Sequence, residues 1–162
     1  MIRHATPADA LAIVAIYNHY VLTTTVTFEE EAVTVEHMAQ RIAQVQQDGL
    51  PWLVWVQDGA VRGYAYASKW RVRSAYRYSV ESSVYLDAHH TGQGFGSRLY
   101  QQLLTELAAL QLHVVIGGIT LPNPQSIALH EKFGFTPCGQ FSQVGFKYGE
   151  WRDVGYWQKM LT

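Results

Sequence analysis

The chain has 162 residues, of which 48% are hydrophobic and 15% are charged, and its formal net charge is −1. A chain of this length buries about two-thirds of its unfolded surface, so we expect a single domain over residues 1–162. The charge excludes the strong basic field typical of nucleic-acid binding, and no apolar run reaches the roughly 18 residues of a membrane span. The single cysteine excludes an internal disulfide and, without a signal-peptide pattern, favours a cytoplasmic protein.

The first half of the chain predicts a strand, two helices and a hairpin. Residues 1–4 form a short strand, and Thr6-Pro7-Ala8-Asp9 then supplies an N-cap, a proline at the first helical position and an early acid. A second helix runs from about Thr34 to Gln47 and ends before Gly49. Two β-rich runs around Asp58-Gly59 predict a hairpin. The apolar sides of the two helices comprise Leu11, Ile13, Ile16, Tyr17 and Tyr20 in the first and Met38, Ile42 and Val45 in the second.

The second half predicts three further sheet regions and two helices. Val80–Leu86 is a strand whose alternation places Glu81, Ser83 and Tyr85 on one face. The next helix carries an apolar stripe, and a buried strand over 113–120 is followed by a helix from Asn123 to Gly134. Residues 135–161 read as two strands. The stripe of the third helix consists of Phe95, Leu99, Leu103, Leu107 and Leu110. Four helices and about seven strands indicate an α+β or mixed α/β fold.

A glycine-rich turn over residues 91–96 separates the Val80–Leu86 strand from the third helix. Glycines at a helix start leave backbone amides free, and the helix dipole favours an anion there, so the turn predicts a phosphate-bearing cofactor. A Walker loop is excluded because Ser97-Arg98 stand where Lys-Ser/Thr is required. A dinucleotide fingerprint fits Gly92 and Gly94 but has Ser97 at the third small position. A flexible turn with no ligand is the alternative.

Several stretches in chain order resemble the GNAT superfamily of N-acetyltransferases, and more narrowly its phosphinothricin and methionine sulfoximine/sulfone acetyltransferases. The resemblance implies an acetyltransferase-type central twisted mixed sheet of about seven strands flanked by four helices, acetyl-CoA as co-substrate, and a homodimer. The stretches that carry it are Ile16–Val21, Thr25–Phe28, Trp70–Arg73, Val80–Leu86, Thr91–Gly96, Asn123–Glu131 and Gly145–Val154.

The resemblance implies three parts of a cofactor site. The pantetheine arm pairs with the backbone of Val84, Tyr85 and Leu86 like an added strand, and Asn123 hydrogen-bonds it, although helix capping also explains this asparagine. Thr91 replaces the Gln or Arg common in the superfamily, which removes one side-chain contact to the pyrophosphate. The residues implied to hold the pyrophosphate are Thr91, Gly92, Gln93, Gly94, Phe95, Gly96 and Ser97.

Two side chains are candidates for proton transfer. A peptide α-amine has a pKa of about 7.7–8.0, so some base is needed at neutral pH. Glu81, in mid-strand, is that candidate base, directly or through water; the alternative is a solvated acid or a partner for a nearby arginine. His130 stands where many superfamily members have a tyrosine that protonates the leaving thiolate, and a histidine with a pKa of about 6.5 suits that role. A half-buried histidine bonded to a carbonyl is the alternative.

The acceptor site is expected near Arg71, Arg73 and Arg77, because guanidinium groups bind carboxylate, phosphinate or sulfoximine groups. Their alternative is a solvated basic loop. The resemblance adds Val72, Phe28 and Lys147 as substrate-binding residues, although Val72-Arg73 replace a proline and an aromatic residue of close relatives. The adjacent His89-His90 do not have metal-ligand spacing, so no metal is expected.

We therefore expect an acetyl-CoA-dependent N-acetyltransferase that acts on the α-amine of a small amino acid or analogue by direct attack on the thioester. The alternative acceptors are a polyamine, an aminoglycoside or a protein N-terminus. A non-catalytic acyl-CoA-binding module is the alternative of another class, and a dinucleotide enzyme is less favoured by the glycine spacing.

Overall fold

The computed structural model describes residues 1–161 of the chain and forms one seven-stranded mixed sheet with helices on both faces. The strands are β1 (Ile2–His4), β2 (Trp52–Gln57), β3 (Ala60–Lys69), β4 (Ser79–Leu86), β5 (Val114–Thr120), β6 (Thr136–Lys147) and β7 (Glu150–Met160). The helices are α1 (Ala10–Thr23), α2 (Val35–Gln47), α3 (Phe95–Ala109) and α4 (Pro124–Lys132). Short 3-10 turns cover Pro7–Asp9, Ser74–Tyr76 and Ala88–His90. The predicted class and element count are confirmed.

The strand order is β1-β2-β3-β4-β5-β7-β6. Every neighbouring pair is antiparallel except β4 and β5, which are parallel. That pairing covers only Ser79–Glu81 against Val114–Ile116, although both strands continue for several residues. Past Glu81 the two strands separate in the middle of the sheet, and this separation positions the candidate site.

The two faces of β4 carry different helices. Tyr17 of α1 makes an edge contact with Tyr85, with 5.3 Å between ring centroids. On the opposite face the Ser82 hydroxyl is hydrogen-bonded to Tyr100 of α3. Helices α1 and α2 pack together on the first face, and α3 packs on the second. The alternation predicted for this strand therefore holds, with Glu81 on the α1–α2 face.

Hydrophobic spacing places most of the core as expected. Met38, Ile42 and Val45 of α2 are buried, and Thr34 caps this helix by accepting from the His37 amide at 3.1 Å. Burying a leucine contributes about 1.5–3 kcal/mol, so the fully buried α3 leucines are a large part of the stabilisation. Those leucines are Leu99, Leu103 and Leu107.

Two predicted core leucines lie at the surface. Leu11 is 67% exposed because it occupies the outer side of α1. Leu110 is 49% exposed because α3 ends at Ala109 and the backbone turns at Gln111, whose φ is 62°, so the helical spacing no longer applies. Over the described residues, 1–161, none of the helices is both long and apolar enough to cross a membrane.

Candidate active site

A cleft of about 690 Å³ lies where β4 and β5 separate. Its walls come from the second half of β4, the glycine-rich turn, the end of β5 and α4, together with Tyr20 and Val26 from the α1 side. The main chain of β4 beyond Glu81 is not paired with β5, so it is available to a ligand lying along the strand. The Leu86 carbonyl is an exception, because the Tyr20 hydroxyl donates to it at 2.5 Å.

The glycine-rich turn gives the cleft a site for an anion. Gly92 and Gly94 have φ values of 75° and 83°, and a Cβ at either would meet nothing within 4 Å, so the turn presents open backbone. Gly94 is the N-cap of α3, and within residues 1–161 no side chain caps that helix start. Its first amides therefore point to the cleft with the positive end of the helix dipole behind them. This arrangement fits a pyrophosphate.

Lys132 is a cleft residue that sequence reasoning missed. It lies at the end of α4, and its ammonium donates to the Ser97 hydroxyl at 3.1 Å, which brings a positive charge to the start of α3. The sequence signal for Lys132 was its position two residues after His130. Only the packing of α4 beside α3 shows that its side chain reaches Ser97. It can supply the side-chain contact to phosphate that Thr91 lacks.

Glu81 lies at the last residue of β4 that pairs with β5, on the α1–α2 face. Burial raises the pKa of its carboxyl, and the positive charge of Arg71 partly opposes that change. Gly118 is the neighbour of Glu81: a methyl built on Gly118 would lie 3.7 Å from Oε2 of Glu81, an ordinary contact, and 3.2 Å from Cε1 of Tyr156, a tight one. A half-buried carboxylate with a raised pKa suits a general base.

His130 lies under the opposite face of the sheet. It is buried, and its Nδ1 lies 2.7 Å from the carbonyl oxygen of Ser126, so Nδ1 carries the proton and donates. A Cβ on Gly117 would lie 2.6 Å from Nε2, so the ring fills the space that this glycine leaves. Burial lowers the pKa of His130, with the Ser126 hydrogen bond acting in the other direction. The neutral ring therefore predominates at pH 7.

The predicted arginines lie on the exposed loop between β3 and β4. The Arg71 guanidinium lies 4.1 Å from the Trp70 ring centroid and close enough to Glu81 to influence its pKa. Arg77 lies over Tyr78 and donates to the Ser74 carbonyl at 3.0 Å, outside the cleft. Arg73 is exposed, and Val72 is 93% exposed. Arg71 thus influences the Glu81 carboxyl electrostatically, and the cleft walls include none of Arg71, Val72, Arg73 and Arg77.

Lys147 does not reach the cleft either. Its side chain is 1% exposed, and its ammonium donates to the carbonyls of Val21 and Thr27 at 2.8 Å each. Burial lowers its pKa, which the charges of Glu30 and Glu29 partly oppose. The side chain connects the end of β6 to the loop between α1 and α2. In this geometry the Lys147 ammonium is therefore not available for direct contact with a substrate.

Phe28 belongs to that same loop and packs on β6. A Cβ on Gly145 would lie 2.2 Å from the Phe28 ring, so the ring occupies the space that this glycine leaves. Val26, two residues earlier, lines the cleft, and sequence reasoning did not single it out. The sequence signal for Val26 was its position in the Thr25–Phe28 stretch, which is one of those that carry the resemblance.

Most of the residues predicted to bind the cofactor line the cleft. Gln93 does not, and the Phe95 side chain is buried against Trp55, with 4.5 Å between ring centroids. Asn123 lines the cleft and also caps α4 by accepting from the Ser126 amide at 3.2 Å, so both of its interpretations remain compatible. The predicted residues on the cleft wall are Val84, Tyr85, Leu86, Thr91, Gly92, Gly94, Gly96, Ser97 and Asn123.

The family is shown by sequence comparison. A model of the acetyltransferase (GNAT) domain matches residues 2–155. The chain belongs to the GNAT family of acetyltransferases and is an acetyl-CoA-dependent N-acetyltransferase, with the cleft between β4 and β5 fitting that co-substrate.

The proteins similar to this chain include acetyltransferases named for small amino-acid analogues. The chain is 43% identical to a phosphinothricin N-acetyltransferase of Streptomyces viridochromogenes over 158 residues, which are 98% of this chain and 86% of the relative. It is 39% identical to an L-methionine sulfoximine/L-methionine sulfone acetyltransferase of Salmonella typhimurium, over 99% of this chain and 94% of the relative. A crystal structure of a phosphinothricin acetyltransferase from Sinorhizobium meliloti in complex with AcCoA superimposes with a TM-score of 0.96 at 38% identity, covering 99% of this chain and 87% of that one.

Proposed function

We propose that this enzyme acetylates the α-amine of a small amino acid or amino-acid analogue of the phosphinothricin or methionine sulfoximine/sulfone kind. The observation that carries the proposal is the half-buried Glu81 carboxyl on the α1–α2 face, whose pKa is influenced by the positive charge of Arg71 on the β3–β4 loop. A carboxylate and a guanidinium in one region complement the ammonium and carboxylate of an amino acid. The names of the relatives support the same acceptor class.

In the proposed reaction, Glu81 removes a proton from the acceptor ammonium, directly or through a water molecule. The free amine attacks the thioester carbonyl carbon, the new C–N bond forms, and the C–S bond breaks with release of the thiolate. Amides on the side of β4 that faces away from β3 are not paired with β5 past Glu81, and they are suited to polarise the carbonyl oxygen. The amides at the start of α3, with Lys132, hold the pyrophosphate.

His130 is the proposed proton donor to the thiolate, on the opposite face from Glu81. Because the buried ring is neutral at pH 7, it must first take up a proton at Nε2 before it can donate one. Activity that depends on this route therefore decreases as the pH rises above the pKa of His130. A rate that is unchanged by His130→Gln would assign the thiolate proton to water instead.

The function is tested by release of free thiol from acetyl-CoA against a panel of acceptors. The panel contains phosphinothricin, methionine sulfoximine, methionine sulfone, common amino acids, spermidine, an aminoglycoside and an Ala-initiated peptide. We expect turnover on the amino-acid analogues and none on the last three. Turnover confined to a polyamine, aminoglycoside or peptide would contradict the acceptor class, and tight coenzyme A binding without any turnover would favour a binding module.

We also propose a homodimer in the cytoplasm. The support for the dimer is the β6–β7 hairpin, where four apolar side chains are each more than half exposed and where β6 is an edge strand of the sheet. The four are Phe141, Val144, Phe146 and Trp151. The cytoplasmic location rests on the single cysteine. Sedimentation of Trp151→Glu is expected to show a monomer, with Leu11→Glu, on an exposed part of α1, as the matched control.

A further inference from the structure

Two consecutive glycines in β5, Gly117 and Gly118, each leave space on one face of the sheet. Neither has a positive φ, so the backbone would accept any residue at either position. Glycine in a strand interior is otherwise unfavourable, and its usual reason is the close approach of another group. At Gly117 that group is the His130 ring. At Gly118 the space lies between Glu81 and Tyr156.

Gly118 lies at the floor of the α1–α2 side of the site. Ile116 is the last β5 residue paired with Glu81, and Gly118, two residues further on, points to the same face. On its other side Gly118 pairs directly with Tyr156 of β7. A side chain at position 118 would therefore stand between the candidate base and the tyrosine ring, where β5 has already separated from β4.

Aromatic rings form the wall beyond this floor. The Tyr156 ring makes an edge contact with the Trp70 ring, with 6.0 Å between centroids. The Arg71 guanidinium lies over the Trp70 ring, 4.1 Å from its centroid. Tyr156 is half-buried, and no sequence signal marked it. Tyr156 thus connects Gly118 and the candidate base to the stacked Trp70 ring and Arg71 guanidinium.

We propose that Gly118 and Tyr156 determine which amines this enzyme accepts, Gly118 as the floor over which the acceptor Cα passes and Tyr156 as the wall for its side chain. The inference rests on the proposed function. An acceptor whose amine is at Glu81 and whose carboxylate is near Arg71 has its side chain directed across Gly118 to the Tyr156–Trp70 rings. Such a wall suits an unbranched, partly apolar side chain, because apolar and sulfur-bearing groups pack well against aromatic rings.

The first test is Gly118→Ala, with Gly139→Ala as the matched control. Gly139 also lies in a strand and pairs with Tyr156 from the other side, but a Cβ there meets nothing within 4 Å. We expect Gly118→Ala to lower kcat/KM for the accepted amino acid by about 10- to 200-fold, the effect of one methyl group in a fitted pocket. KM for acetyl-CoA and the kinetics of Gly139→Ala should match the wild type.

The second test keeps the proposal decidable if Gly118→Ala does not fold. Tyr156→Phe keeps the ring and should retain wild-type KM for the acceptor, whereas Tyr156→Leu should raise that KM and leave KM for acetyl-CoA unchanged. Wild-type acceptor kinetics in both Gly118→Ala and Tyr156→Leu would overturn the proposal, as would equal losses in Gly118→Ala and Gly139→Ala. Absence of turnover by the wild type on every amino acid would instead overturn the proposed function, and this inference with it.

Discussion

Replacing Lys147 by methionine removes a buried ammonium that connects two parts of the acceptor side. The change leaves the Thr27 carbonyl without its lysine donor, whereas the Val21 carbonyl keeps the Tyr148 hydroxyl at 3.1 Å, and an unsatisfied buried group costs about 1–3 kcal/mol. Methionine has similar length and recovers the desolvation cost of the ammonium, which offsets part of that loss. We therefore expect the free energy of unfolding to fall by about 1–3 kcal/mol.

The same variant should loosen the loop that carries Val26 and Phe28. We expect KM for the acceptor to rise while KM for acetyl-CoA stays at the wild-type value, because the pyrophosphate is proposed to bind at the start of α3 and Lys132, which do not belong to this loop. Urea unfolding gives the stability, and thiol release gives the two KM values. The control is Lys69→Met, whose ammonium is paired with Asp48 at the surface and is worth less than about 1 kcal/mol. Equal stability of the two variants, with unchanged acceptor KM, would refute the reasoning.

Three further predictions concern buried polar groups. Tyr100→Phe leaves the buried Ser82 hydroxyl without its partner, so urea unfolding should show a loss of about 1–3 kcal/mol; no loss would contradict this pairing. Arg3 lowers the pKa of Asp9 in the folded state, so the stabilisation by Asp9 is complete above the ordinary pKa of the carboxyl and is lost as the pH falls through the lowered pKa. Asp9→Asn should therefore destabilise the protein at pH 7 and have less effect near pH 3. Equal effects at the two pH values would refute this prediction. NMR titration of His130 should give a pKa below 6.5 and an Nδ1–H tautomer at pH 7; a protonated ring at pH 7 would contradict its burial.

Local sequence signals predicted the elements well because each element is determined by its own residues. The spacing of Met38, Ile42 and Val45 and the cap at Thr34 define α2 without reference to the rest of the chain. The Asp58-Gly59 turn defines the β2–β3 hairpin in the same way, and both residues have positive φ. The two leucines that were wrongly predicted to be buried are Leu11, on the outer side of α1, and Leu110, beyond the end of α3. Their exposure depends on neighbours and on where the helix ends.

The candidate site was predictable where its chemistry lies in one continuous stretch. The glycine-rich turn and its helix start were recognised from sequence, and most of their residues line the cleft. Lys147, Lys132 and Tyr156 could not be placed, because each meets partners that are distant in the chain. Lys147, for example, donates to carbonyls 120 and 126 residues away. The space that Gly118 leaves likewise exists only once β4, β5 and β7 are side by side.

The pH dependence of Glu81→Gln tests most directly the assignment of Glu81 as general base. Because burial raises the pKa of Glu81 above its ordinary value of 4.5, wild-type kcat/KM should decrease as the pH falls through that raised pKa. In Glu81→Gln we expect kcat/KM to be about 10²- to 10⁴-fold lower, with this acidic limb absent and the limbs of the acceptor ammonium and of His130 remaining. Glu36→Gln, at an exposed position of α2, is the control and should match the wild type. Near-wild-type activity of Glu81→Gln with an unchanged acidic limb would contradict the assignment.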